Sequence, residues 1–331
     1  MCMVVVIAYW RASRHSVPLT PQQGRQVGPS RRWLLRAMGL LWILDGLLQM
    51  QPAMVTRFIG GFLVPQVVGQ PLPIAWLVRW GISVWSLNPP ILNSLAAFFQ
   101  IAIGLGLLLS WGEPARRRAL WASIVWGLIV WAWGEAMGGV FAGGTWMTGA
   151  PGSALIYALV SMLLLPGDTW WERQSVSWFK LGFAGLFALS AILEVLPGWG
   201  QWSGALSGNV LAMAQMPQPS VFSRPLYVVA AGLALHPILW NAIVTGILVT
   251  LSVAWVLGSR NRIVCGFTAL WVFLTWWIGQ DFGVLGGMGT DPNSGAVILL
   301  ILYAYAGQIG LVRFPSLRRQ MSVNERDRMA P

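Results

Sequence analysis

The sequence predicts an all-α membrane protein, a polytopic bundle of about eight transmembrane helices built from two parallel four-helix repeats. Three observations predict it: an apolar composition, an internal repeat and a one-sided distribution of basic residues. Hydrophobic residues make up 56% of the 331 residues and charged residues only 9%. Too few polar side chains remain to cover a water-soluble globule of this size. The 22 tryptophans agree, because indole favours the membrane interface.

The chain repeats itself at an interval of 145 residues. The aligned segments are 33–52 with 178–197, 131–138 with 276–283 and, at an offset of 148, 89–93 with 237–241. Apolar stretches long enough to span a bilayer, about 20 residues, fall in matching order in both copies. The predicted spans are about 33–50, 91–110, 119–140, 152–166, 178–196, 237–257, 263–281 and 295–312.

Basic residues set the predicted topology. All but three of the 21 lie in tails and alternate loops that share one face of this arrangement, and the exceptions are Arg57, Arg79 and Arg224. By the positive-inside rule both termini are cytoplasmic, and we expect a multi-pass protein of the inner or plasma membrane. The predicted units are a basic cytoplasmic tail (1–32), a first repeat (33–166), a cytoplasmic linker (167–177), a second repeat (178–312) and a second basic tail (313–331).

Each repeat has a long segment on its outer side, 51–90 in the first and 198–236 in the second. Both are partly apolar and interrupted by Gly and Pro. We expect interfacial helices or a re-entrant element there, because a long extended loop is unusual in a compact membrane domain.

Carboxylates inside apolar helices are the first candidates for function. A carboxylate at the bilayer centre costs about 2.5 to 3.5 kcal/mol, so it normally faces inward and is paired or functional. Asp45 aligns with Ser190, and Gln49, one turn after Asp45, aligns with Glu194. The four candidate catalytic or proton-transferring acids are Asp45, Glu135, Glu194 and Asp281.

Polar groups expected near these acids are candidates for substrate binding. They are Gln49, Arg79, Arg224, His236 and Gln280, the last of which aligns with Glu135. A structural alternative stays open: the acids pair with Arg79 or Arg224, or accept indole N–H bonds, and hold the bundle together. His236 precedes a proline at a helix start, where a capping or interfacial role competes with proton transfer.

Glycine-rich loops follow Glu135 (GGVFAGGTWMTGAPGS) and Asp281 (GVLGGMGTDPNSG). Glycine allows close backbone approach, so these loops either wrap a small ligand or serve packing and turn formation. They lack a phosphate-binding GK[ST] sequence and the acidic ligands of a calcium loop.

The sequence has few cysteines and histidines that could bind a metal, a haem or an iron–sulfur cluster. Two cysteines, Cys2 and Cys265, and two histidines, His15 and His236, leave no disulfide framework, four-cysteine cluster or pair of haem histidines in helices. We expect no metal and no covalent, haem or Fe–S cofactor. The basic residues are explained by topology, so we expect a lipid bilayer and no nucleic acid as partner.

The four-helix unit resembles the DoxX-like family of small bacterial membrane proteins. The residues that carry the resemblance are LDGLLQ with Asp45 and Gly46, an interfacial stretch, QIAIGLGLLL from Gln100 to Leu109, and an Arg-rich turn followed by two helices. The family often has Glu where this chain has Gln100. The resemblance implies a quinone-linked or redox-partnered role at the outer leaflet.

Three classes of function stay open at this point. The first is a redox-associated subunit whose outer-half carboxylates relay protons for quinone chemistry performed with a partner protein. The second is a transporter or channel for a proton, cation or small solute, with the acids between two parallel repeats. The third is a structural or assembly protein. The oligomeric state does not follow from the sequence.

Overall fold

The computed structural model describes residues 29–109, 112–258, 260–287 and 289–314. Across these ranges the chain is helical and forms no β-strand. The predicted basic tails, 1–32 and 313–331, lie almost wholly outside the described residues, as do Cys2 and His15.

The described chain forms a series of α-helices joined by short irregular turns. The helices are α1 (Pro29–Gln49), α2 (Pro52–Thr56), α3 (Leu72–Leu87), α4 (Pro89–Leu108), α5 (Glu113–Ile129), α6 (Ser153–Leu164), α7 (Asp168–Val195), α8 (Ala205–Ala214), α9 (Ser220–Leu235), α10 (Pro237–Gly258), α11 (Arg262–Gln280) and α12 (Asn293–Gln308). Two π-helical turns cover Ile59–Leu63 and Val130–Gly134. Single 3₁₀ turns cover Pro65–Val67, Ala136–Gly139, Trp146–Thr148 and Asp281–Gly283.

Within the described residues, four helices are long and apolar enough to cross a bilayer, and they indicate a membrane protein. They are α4, α7, α10 and α11 extended through the following turn to Gly283. A helix overlaps each of the other predicted spans as well. The segment 167–177, predicted as a linker, instead forms the first turns of α7. It is helical because Trp171 and Ser175 are buried there, and the Trp171 indole donates to Ser30 Oγ at 2.9 Å.

Two long helix pairs form the frame of the molecule. Helix α1 packs along α4, and α7 packs along α10. The first pair is close because glycines face each other: a Cβ added to Gly104 would lie 2.5 Å from the Gly39 carbonyl oxygen. Small residues at such crossings let backbones approach in membrane helices. Helix α12 packs against α6 and α11, and it joins the two pairs because it also contacts α1 of the first and α7 of the second.

The outer segments form short helices. Residues 51–90 contain α2, a π-helical turn and α3, and residues 198–236 contain α8 and α9. Asn88 ends α3 and caps α4, because its Oδ1 accepts from the Ile91 amide at 3.3 Å. His236 holds the matching place between α9 and α10 and is exposed.

One buried ion pair fastens the start of α1 to the start of α7. The Arg31 side chain is only 1% exposed and donates to Asp168 Oδ1 at 3.0 Å and to the Leu164 carbonyl oxygen at 2.7 Å. Burial lowers the pKa of Arg31, and the attraction of Asp168 and Glu113 opposes that shift. A charge this deeply buried is stable only when it is paired.

Candidate functional site

A cavity of about 300 Å³ lies inside the N-terminal half, between α1, α3, α4, α5 and α6. Its wall is largely apolar, and five of the residues that line it are tryptophans: Trp42, Trp80, Trp85, Trp126 and Trp133. Helix α3 and the π-helical turn before it form one side, where Phe58 packs on Trp85 with ring centroids 5.0 Å apart. The volume is at the lower end for small-molecule sites.

Helix α1 places Asp45 and Gln49 on the cavity side, one turn apart. Asp45 is 2% exposed, and its Oδ1 has no hydrogen-bond partner. The Tyr157 side chain of α6 faces the Asp45 carboxyl and packs edge-on against Trp42, with ring centroids 5.0 Å apart. A buried polar atom without a partner is costly, so the exceptions mark places where a ligand can bind.

Hydrogen bonds to α4 fix the side chain of Gln49, whereas the side chain of Gln100 keeps an acceptor without a partner. Gln49 Nε2 donates to Asn93 Oδ1 at 2.6 Å, and Asn93 Nδ2 donates back to the Gln49 carbonyl oxygen at 2.9 Å. Gln100 also lines the cavity and is 6% exposed, but its Oε1 has no partner. Gln49 is therefore held rigidly, whereas Gln100 offers a free acceptor.

Glu135 reaches the cavity because α5 unwinds just before it. The π-helical turn Val130–Gly134 ends the helix, and Ala136, Met137 and Gly138 follow with φ of 45°, 59° and 67°. Gly138 is required in this turn, since a Cβ there would lie 1.9 Å from the Pro151 carbonyl oxygen. Such π-helical turns are frequent at functional sites. Here the turn directs the carboxyl of Glu135 to the start of α6.

The Glu135 carboxyl has one satisfied oxygen and one free oxygen. Its Oε1 accepts from Ser153 Oγ at 2.5 Å and from the Ala154 amide at 3.1 Å. A carboxylate is favoured at a helix N-terminus, so this oxygen helps to start α6. The other oxygen, Oε2, is buried and has no partner.

Asp291 is the third acid that lines the cavity, and it comes from the C-terminal half of the chain. Its Oδ1 accepts from the Asn293 amide at 2.6 Å and lies 3.0 Å from Ser153 Oγ. Burial raises the pKa of Asp291. Our sequence reasoning missed this residue, because it looked for acids inside apolar spans. The Asp-Pro-Asn-Ser sequence before α12 predicts a helix cap, but nothing in it predicts contact with the other half.

Ser153 stands between two carboxyl groups, 2.5 Å from Glu135 Oε1 and 3.0 Å from Asp291 Oδ1. A serine hydroxyl has one hydrogen to donate. It can be shared between the two carboxyl groups in a three-centre bond, or it can go to one of them while the other, when protonated, donates to the serine oxygen. The arrangement therefore suits a pair of acids that share one proton, as closely spaced carboxyl groups do elsewhere.

The other predicted acids lie away from this cavity. Glu194 is 0% exposed in the C-terminal half and lies beside Thr145. Asp281 is 4% exposed and lies beside Gln218. The structure thus brings Asp45, Glu135 and Gln49 together, and separates Glu194 and Asp281 from them.

Gln280 makes in the C-terminal half the contacts that Glu135 makes in the N-terminal half. Its Oε1 accepts from Ser294 Oγ at 3.2 Å and from the Gly295 amide at 3.4 Å, at the start of α12. Its Nε2 donates to the Trp146 carbonyl oxygen at 3.2 Å. Gln280 is therefore occupied by helix capping and by a loop of the other half.

The predicted basic candidates are on the surface. Arg79, Arg224 and His236 are exposed, and none of them lines the cavity. Within the described ranges, the ion pairs join Arg31 and Arg116 to Asp168 and Glu113. Asp45, Glu135 and Asp291 therefore share a cavity whose lining contains no basic side chain.

No group of three or more His, Cys, Asp or Glu suited to one metal ion occurs among the described residues. Comparison of the chain with protein-family models, with curated proteins and with solved structures finds no match.

Proposed function

We propose that this protein transports a small ligand across the cell membrane, and that Asp45, Glu135 and Asp291 take up and release protons during transport. The observation that carries the proposal is the meeting of three carboxyl groups in one apolar cavity whose lining has no basic residue. Uncompensated charges are expensive there, so the cavity must hold protons or a ligand that neutralises the acids. A protein that only needed packing would be stabler with apolar residues at these places.

The same proposal includes the architecture of two parallel four-helix units with both termini cytoplasmic. Matching hydrogen bonds support it: the Trp131 indole donates to the Pro151 carbonyl oxygen at 2.8 Å, and the Trp276 indole to that of Pro292 at 2.6 Å. Asn93 and Asn241 likewise each donate to a carbonyl oxygen near the end of the preceding long helix, at 2.9 and 3.3 Å. The resemblance to the DoxX-like family belongs to this proposal and rests on sequence alone.

Cysteine labelling tests the topology. Single cysteines in the loops 141–151 and 284–294 should react with an impermeant reagent added outside intact cells. Labelling of either loop only after the cytoplasm is exposed would contradict eight spans with cytoplasmic ends.

Proton flux tests the function. The purified protein is reconstituted in vesicles with a pH gradient and a clamped membrane potential, and internal pH is followed with a dye. We expect flux above that of empty vesicles, and at least about a tenfold loss in Asp45→Asn and Glu135→Gln, since proton-transfer groups typically contribute this much or more. Glu172→Gln is the matched control, because Glu172 is an exposed acid away from the cavity. Equal flux in all four proteins would contradict the proposal.

A quinone is the second candidate ligand, and one observation favours it. The indole N–H groups of Trp85, Trp126 and Trp133 line the same cavity, are buried and have no hydrogen-bond partner. Such donors suit the carbonyl oxygens of a quinone, with the acids as proton source for its reduction by a partner protein. Replacing Trp126 and Trp133 by Phe removes the N–H groups and keeps the rings. Loss of quinone binding in that variant would favour this candidate over a charged ligand.

A further inference from the structure

We propose that the ligand of the aromatic cavity is an alkylammonium cation, bound by Asp45 and its neighbouring acids within a cage of tryptophans. This inference rests on the proposed function and names the chemical class that the site accepts. Three properties of the cavity support it: the sign of its charge, the nature of its wall and its size.

The sign of the charge excludes anions and favours cations. Asp45, Glu135 and Asp291 line the cavity, and the 24 residues that form its wall contain no Lys, Arg or His. An anion would add charge to a site that already lacks a counter-charge. A cation would instead neutralise the carboxylates, and the two partnerless oxygens, Asp45 Oδ1 and Glu135 Oε2, are free to face it.

The wall distinguishes an organic cation from a metal ion. Five tryptophans and two phenylalanines, Phe58 and Phe62, surround the acids. Indole faces attract cations through the ring quadrupole, and aromatic cages bind quaternary ammonium groups in this way. A small metal ion needs several oxygen ligands at close range, whereas an alkylammonium ion also fills apolar space with its alkyl groups.

The size and position of the cavity fit a small amphipathic molecule. A volume of about 300 Å³ holds a compact alkylammonium ion. The outer side of the cavity is α3, whose Trp80 lines the cavity and is yet 50% exposed. Gly81 allows α3 to pack closely against Trp133, because a Cβ added to Gly81 would lie 2.9 Å from Cδ1 of Trp133. A ligand can therefore approach past α3, from the side on which Trp80 is exposed.

The test compares two probes of the same shape. Choline carries the trimethylammonium charge, and 3,3-dimethylbutan-1-ol is its neutral isostere. Binding to the full-length protein in detergent is measured by calorimetry and by quenching of tryptophan fluorescence. We expect choline to bind at least about tenfold more tightly than the alcohol, since cation–π attraction and ion pairing act only on the charged probe.

Variants locate the site. Asp45→Asn and Trp133→Leu should each weaken choline binding by about tenfold. Glu172→Gln and Trp121→Leu are the matched controls, because both residues are exposed and lie outside the cavity wall. They should bind choline like the wild type. Equal binding of the two probes, or unchanged choline binding in a folded Asp45→Asn protein, would overturn the inference.

A pH series keeps the test decisive if the variants fail to fold. The titratable groups that face Asp45 are Glu135, Asp291 and Tyr157. Because a cation binds the deprotonated acids, wild-type affinity for choline should fall as the pH is lowered and the carboxylates take up protons. An affinity that does not change between pH 5 and pH 8 would also overturn the inference. Proton flux that depends on Asp45 without choline binding would retain the proposed function and reject only this ligand class.

Discussion

The two halves of the molecule differ in what occupies the space between their helices. In the N-terminal half Trp42, Val130 and Glu135 line an open cavity. Under the offset of 145 residues their counterparts are Phe187, Thr275 and Gln280. All three touch Trp146: the Phe187 ring at 5.2 Å between centroids, Thr275 Oγ1 as acceptor of the indole at 2.8 Å, and Gln280 as donor to its carbonyl oxygen.

Trp146 thus occupies in the C-terminal half the place that is free in the N-terminal half. Two polar residues of the N-terminal cavity are replaced by smaller or apolar residues in the C-terminal half. Ser190 stands where the first half has Asp45, and Leu248 stands where it has Gln100 at the offset of 148. Buried polar atoms without a hydrogen-bond partner occur in both halves: Asp45 Oδ1 and Glu135 Oε2 belong to residues that line the cavity, and both carboxyl oxygens of Glu194 and Asp281 lie in the C-terminal half. The halves therefore differ in the space itself, which is open beside Asp45 and is filled by Trp146 in the C-terminal half.

Removing the side chain that fills the C-terminal half should have the largest effect. Trp146 is 2% exposed, so Trp146→Ala should lower the free energy of unfolding by about 3 to 5 kcal/mol. Denaturant titration in detergent measures it. Trp76→Ala is the control, because Trp76 is 69% exposed, and its loss should cost less than about 1 kcal/mol. Similar losses for both variants would mean that Trp146 does not fill a packed core.

Paired serine and threonine changes should give a middle-sized difference between the halves. Ser123 accepts from the Trp42 indole at 2.7 Å and contacts Ser161 Oγ at 2.8 Å, whereas its counterpart Thr268 accepts from the Trp255 indole at 3.0 Å. We expect Ser123→Ala to cost about 2 kcal/mol and Thr268→Val about 1 kcal/mol in the free energy of unfolding. Equal costs would show that the serine network adds nothing.

Asp291 should give the smallest effect, on the pH dependence of stability. Burial raises the pKa of Asp291 in the folded state. Its contribution is therefore most favourable below the unfolded pKa of about 3.9 and is lost as the pH rises through the folded pKa. We expect Asp291→Asn to show a shallower fall in melting temperature between pH 4 and pH 8 than the wild type. A steeper fall would reverse the sign of this linkage.

The helices of this protein could be predicted from composition because length and apolarity decide them. A helix overlaps each predicted span, although the span 119–140 is interrupted after Ile129, and within the described residues four helices are long and apolar enough to cross a bilayer. The limits of the spans were less predictable. Residues 167–177 were predicted as a cytoplasmic linker, and residues 168–177 form the start of α7, where the Trp171 indole donates to the buried Ser30 Oγ. A contact with a residue so distant in the chain leaves no local signal.

The candidate site was predictable only where its residues lie on helices. Asp45 and Gln49 follow from one helical face, and Glu135 from an acid at the end of an apolar span. Asp291 did not follow, because its place depends on how a glycine-rich loop crosses to the other half. Arg79 and Arg224 were predicted on the same side of the membrane as the acids. Both side chains are exposed, and neither lines the cavity.

The exchange of loops between the halves has a consequence for biosynthesis. The turn around Trp146 enters the C-terminal half, and the loop with Asp291 enters the N-terminal half, where Gln51 Nε2 also donates to the Gly289 carbonyl oxygen at 3.4 Å. Ribosomal synthesis delivers Asp291 only after all but the last described helix. The wall of the cavity therefore stays incomplete until this loop has been synthesised, and a chain terminated before Thr290 would insert into the membrane without the complete cavity.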